Sequence, residues 1–144
     1  NAEQAAIEVE WNGKQLRLLD PVSLFASKLK LLATVSQANR QDARHLKILV
    51  RCVRCFLGEL LEEVHRGGIR SRHWLNLVGY LLRITSTKPA IRIASDLGLS
   101  WRDSLPWDAI RASPDPKIIR FAATSAADQA LDDELPWGIL SGNG

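Results

Sequence analysis

LLDPVSLFASKLKLLATVSQANRQDARHLKILVRCVR, residues 18–54, reads as two successive helices, and the rest of the fold is built outward from them. Asp20 followed by Pro21 is a start signal: the carboxylate can accept free amides at an N-cap, and proline at the first helical position loses no hydrogen bond. At about 100° per residue, Leu24, Phe25, Leu31, Leu32 and Val35 fall on one face, with Lys28 in its middle and Lys30 pointing away. An ammonium in an apolar stripe is costly unless it is paired or reaches water. Two readings of Lys28 stand: it snorkels or pairs with a carboxylate, or it is aimed into a cleft at an anionic ligand.

The second helix starts near Arg40-Gln41-Asp42, with Asp42 expected as its N-cap, and runs to Arg66. Gly67-Gly68 supplies the stop. Arg40, Arg44, Lys47, Arg51 and Arg54 follow spacings of 4, 3, 4 and 3, which makes one basic stripe about 80° wide. Leu46, Leu49, Val50, Val53, Leu57, Leu60, Leu61 and Val64 fill the opposite side, so this helix is expected to be the spine of the core. A stripe of like charges is either a solvated face or a surface that meets phosphates.

A chain of 144 residues with 46% hydrophobic and 24% charged residues fits one globular domain with a real core. The net charge of +3 is too mild to announce nucleic acid by itself. No apolar run approaches the roughly 20 residues of a membrane span, and no signal-peptide core is present, so a cytoplasmic location without membrane contact is expected. Asn1-Ala2 and the lack of any Met suggest a piece excised from something longer. Cys52 and Cys55 spell CVRC. Reactive CxxC pairs sit at helix N-termini, where the dipole favours a thiolate, whereas these are mid-helix. Zinc would need two further ligands, and His45, His65 and His73 are only loosely spaced for that. The expectation is therefore no metal, and two reduced thiols buried in packing.

The remaining segments give a mainly α fold: a helical bundle of about five or six helices with an N-terminal β-hairpin. In residues 6–19, Ile7, Val9 and Trp11 alternate with Glu8 and Glu10, and Leu16 and Leu18 alternate with Gln15 and Arg17, on either side of Asn12-Gly13. That dipeptide is a strong hairpin signal. A lone hairpin is marginal, so residues 1–19 are expected to pack on the helices or to end a sheet begun upstream. Residues 20–134 form the helical domain. Ser71 is expected to cap a helix over about 72–84, which Thr85-Ser86-Thr87 breaks. Pro89 sits early in a helix carrying Ile91, Ile93, Ala94 and Leu97, which Gly98 ends. Residues 99–113 read as a loop with a short helix after Leu105-Pro106. The last helix begins at 113–116 and carries Ile118, Ile119, Phe121 and Ala122. Its end is acidic through Asp128, Asp132, Asp133 and Glu134, which opposes the helix dipole, so this end is expected either to fray or to meet a basic surface. The apolar tail, residues 135–144, docks on the domain or binds a protein partner. The five tryptophans are expected in core or turn packing, with Trp101-Arg102 the one adjacent aromatic–basic pair. No phosphate-cradling glycine motif, His-Glu-x-x-His or nucleophile elbow occurs, so no catalytic residue is assigned.

Leu19-Asp20-Pro21, then Leu24-Phe25-Ala26-Ser27-Lys28-Leu29, then Arg40-Gln41-Asp42 resemble the later part of nucleotidyltransferase-like proteins related to the abortive-infection toxins of toxin–antitoxin systems. The resemblance covers about residues 7–60. It implies that Lys28 contacts a nucleotide phosphate and that Asp42 is a cleft residue beside it. The basic stripe, read from its spacing, would add Arg40 and Arg44 as nucleotide or phosphate contacts and Lys47, Arg51 and Arg54 as nucleic-acid contacts. That family's Gly-Ser pair and Asp-x-Asp, whose carboxylates hold Mg²⁺ for phosphoryl transfer, have no counterpart in this chain. Where the family often has a second acid, this chain has His45. Two functions follow. In the first, the chain is the C-terminal helical part of a nucleotidyltransferase-like protein, catalytically incomplete by itself, with Mg²⁺ and a nucleotide belonging to the full-length protein and nucleotide or RNA as partner. In the second, it is a non-catalytic helical protein-interaction module.

Overall fold

The structure, a computed structural model, describes the backbone of residues 6–11, 13–34 and 41–134 and the side chains of residues 13, 20–34 and 41–125. Strands β1 (Ala6–Trp11) and β2 (Lys14–Leu19) pair antiparallel, from Ala6 opposite Leu19 to Trp11 opposite Lys14. Gly13 takes φ 77° in the turn, a conformation that a Cβ disfavours. Six helices follow: α1 (Pro21–Thr34), α2 (Asp42–Arg66), α3 (Ser71–Thr85), α4 (Lys88–Leu97), α5 (Trp107–Ala112) and α6 (Pro116–Glu134), with a 3-10 turn at Trp101–Ser104. The protein is a mainly helical bundle. Helices α1, α2 and α3 pack on one another; α4 closes over α1 and α3, α5 and the 3-10 turn lie on α2, and α6 lies on α3 and α5. No described helix is long and apolar enough to cross a membrane.

Helix α2 is the spine. It buries Leu46, Leu49, Val50, Val53, Leu57, Leu61 and Val64 along one side. Removing each such side chain from water stabilises the fold by about 1.5–3 kcal/mol before entropy is counted. It ends on Gly67 at φ 87°, whose N–H donates to Val64 O while that of Gly68 donates to Glu63 O. These bonds satisfy carbonyls that the last helical turn leaves open.

The 100° count was right for α2 but misjudged α1. The buried residues of α1 are Val22, Phe25 and Leu29, a face rotated by about 90° from the one centred on Lys28. Leu24, Leu31 and Leu32 are half-buried at its margin, and Val35 lies outside the described residues. Counting leucines favoured one face, whereas packing selected the side that meets α2 and the 3-10 turn. There Phe25 meets Trp101 edge-on at 5.5 Å between centroids.

Cys52 and Cys55 are free and exposed, not buried. The same count explains it: both project about 100° or more from the centre of the face carrying Leu49, Val53 and Leu57. Asp42 does not cap α2. Gln41 is the N-cap residue and makes no side-chain capping bond, and Asp42 is the first helical residue. Likewise Arg70, not Ser71, precedes α3 as its N-cap residue. Ile91 and Ile119, placed on apolar faces from the sequence, are 57% and 51% exposed.

Helix α4 begins with a working cap. Thr87 Oγ1 accepts the N–H of Ala90 at 3.2 Å. Thr87→Ala is expected to lower stability by about 1 kcal/mol in urea unfolding, with Thr87→Ser restoring most of it.

Candidate phosphate-binding surface

Asp20 sets the start of α1. One carboxylate oxygen accepts the N–H of Ser23 at 3.0 Å and the other accepts its hydroxyl at 2.8 Å. Two turns on, Lys28 Nζ lies 3.0 Å from Asp42 Oδ1 at the seam of α1 and α2. Asp42 is 2% exposed and Lys28 21%, so the carboxylate is inside and the ammonium reaches the margin. A carboxylate at the first residue of α2 also meets the positive end of that helix's dipole. The pair therefore ties the two helices across the segment between them. Of the two readings of Lys28, pairing with a carboxylate is the one the geometry contains.

The basic stripe is present and exposed: Arg44, Lys47, Arg51 and Arg54 all face solvent. Among the described residues, Arg54 Nη1 donates to Asp103 O at a long 3.4 Å. Arg44, Lys47 and Arg51 make no hydrogen bond or ion pair with a described residue. From Arg44 to Arg54 the stripe runs about 15 Å, roughly the axial length of four phosphates on one strand of a duplex. Arg40 lies outside the described residues.

The structure brings Lys28 to Asp42, but it does not bring Arg44 to them. Arg44 is two residues past Asp42, about 200° around the helix, so it projects from the other side. The expected single cluster is thus two features: an ion pair in the α1–α2 seam, and a cationic ridge on the outer face of α2.

Sequence reasoning missed a second cationic group. Arg70, Arg72 and Lys117 line a cleft of about 440 Å³ where the α2–α3 loop meets the start of α6. These residues are 45 or more positions apart across that cleft, and no local pattern joins them. It also missed the contact of His65, weighed only as a zinc ligand, with Ser113: Nε2 is 2.7 Å from Ser113 Oγ. That hydroxyl also accepts the Asp115 N–H at 3.2 Å and is buried in the turn before α6. The contact therefore serves as a tie between the last turn of α2 and that turn.

Comparison of the chain with protein families, with characterised proteins and with solved structures finds no match to any of them.

Proposed function

We propose that this chain is the C-terminal helical part of a nucleotidyltransferase-like protein acting in the cytoplasm, presenting cations to the phosphates of a nucleotide or RNA. The observation that carries this reading is the Lys28–Asp42 contact of 3.0 Å. Two positions fourteen residues apart, which the family resemblance makes neighbours in a cleft, lie side by side. That Arg44, Lys47 and Arg51 make no ion pair with a described residue supports it, since such cations are stabilised by a polyanion that covers them. On this reading β1 and β2 extend the sheet of a catalytic part that supplies the metal-holding carboxylates, Mg²⁺ and the nucleotide's reacting phosphate are bound there, and the helical part orients the phosphates.

The test is binding of labelled single-stranded RNA and of a nucleoside triphosphate across a salt series. Lys28 Nζ reaches the margin with donors beyond the one it gives Asp42, so on this reading Lys28→Ala is expected to weaken nucleotide binding about tenfold by removing a charge-assisted contact. It should also destabilise the fold by about 1–3 kcal/mol, because it removes a partner of a buried carboxylate. Lys28→Arg, which keeps the charge, should recover part of both. No measurable affinity for either ligand at low salt would remove this reading.

The second reading, a non-catalytic protein-interaction module, is favoured by an apolar recess of about 530 Å³ between α1, α3 and α4, with Leu29, Ile84, Pro89 and Ile93 in its walls. It predicts a protein partner and no phosphate affinity.

A further inference from the structure

Two clefts lie along the seam of α3 and α6 and share Lys117. The first, of about 440 Å³, is walled by Arg70, Ser71, Arg72 and Asp115. The second, of about 430 Å³, has an apolar floor of Leu75 and Phe121 and carries Arg120 at its margin. Arg70, Arg72, Lys117 and Arg120 are all exposed. None of them makes a side-chain hydrogen bond or ion pair with a described residue. The one carboxylate in the groove, Asp115, is already engaged: its Oδ1 accepts the N–H groups of Lys117 at 2.8 Å and Ile118 at 3.3 Å, capping α6. The groove thus offers unpaired cations beside an apolar floor. It fits a segment that is acidic first and apolar next.

The chain carries such a segment. Asp128, Asp132, Asp133 and Glu134 are followed by Leu135-Pro136-Trp137-Gly138-Ile139-Leu140. The acids at the C-terminal end of α6 also oppose its dipole, which a positively charged partner would relieve. Asp132, Asp133 and Glu134 stand away from Lys117 of their own chain. Helix α6 continues to Glu134, which carries Asp132–Glu134 about 20–25 Å along its axis from Lys117. They can meet the groove of another copy.

We infer that the α3–α6 groove binds the acidic C-terminal segment, residues 132–140, of a second copy of this chain. The contact is head-to-tail, joining unlike surfaces, and so adds copies in a ring or a row rather than closing as a symmetric dimer. It rests on neither the Lys28–Asp42 pair nor the stripe on α2.

Sedimentation velocity on the intact chain, without nucleic acid, tests it. Mass should rise with concentration at low salt and fall as salt is added. The groove variant Arg72→Glu/Lys117→Glu and the tail variant Asp132→Lys/Asp133→Lys, each checked for native circular dichroism, should each weaken association about tenfold or more. An equal mixture of the two should regain it, because each then offers the other an opposite charge. A chain that stays monomeric throughout overturns the inference. So does association that neither variant weakens, or a mixture no stronger than its components. Stabilisation of the tail variant by inorganic phosphate, with no association in the intact chain, would show instead that the groove takes a free anion.

Discussion

Trp74→Ala should lower stability by about 3–5 kcal/mol, the largest loss expected of any single substitution in the bundle. The indole is 1% exposed and is the largest of the fully buried side chains. It lies on α3 between the spine and α6. Its Nε1 donates to Leu57 O at 2.9 Å, and its ring meets Phe121 edge-on at 6.4 Å between centroids. Truncation would empty the junction of three helices, which cannot collapse without moving α6. For a chain of this size the midpoint of thermal unfolding should fall by about 10 °C. Trp74→Phe separates the contributions, since it keeps most of the packing and loses the hydrogen bond; about 1–2 kcal/mol is expected for it. Urea unfolding followed by circular dichroism measures both. A loss below about 1 kcal/mol for the alanine variant would mean that α3 and α6 do not pack through this residue.

The second large effect is on binding. Replacing Arg44, Lys47 and Arg51 together by alanine should cut affinity for single-stranded RNA by two or more orders of magnitude at low salt. It should also flatten the plot of log affinity against log salt by about 0.7 per cation removed, or about 2 in all. Stability should change by only a few tenths of a kcal/mol, because all three side chains are exposed. The combination is diagnostic. A solvated face would give neither the affinity nor the slope, and a structural role would show in the unfolding midpoint. Unchanged RNA affinity and slope in the triple variant would place any RNA contact elsewhere on the chain.

The sequence carried what depends on one helix at a time. The inward face of α2 was legible because seven buried positions repeat its period over 25 residues. Its end was legible because Gly67 takes a conformation that other residues resist. Helix α1 is only 14 residues long and has apolar residues on most of its circumference, so its own pattern did not choose a side. The thiols of Cys52 and Cys55 were misplaced by treating cysteine as a core residue by type, although their register on α2 pointed outward. At the candidate site, the partnership of Lys28 with Asp42 was reachable only through the resemblance, since fourteen residues separate them. The separation of Arg44 from that pair was already implied by helical geometry. The α3–α6 groove was not legible, because its walls meet through tertiary packing.

Among the described residues, three indole N–H groups end on main-chain oxygens: Trp74 on Leu57 O, Trp101 on Ala90 O and Trp107 on Arg102 O. Each therefore sits at a different joint: α2 with α3, the 3-10 turn with α4, and that turn with α5. An indole proton held in this way trades with deuterium only when its joint opens. The bundle thus carries three built-in clocks, well separated from the amide signals in a proton spectrum. The order in which they fade would rank how readily the outer helices part from the spine while the rest of the molecule stays folded.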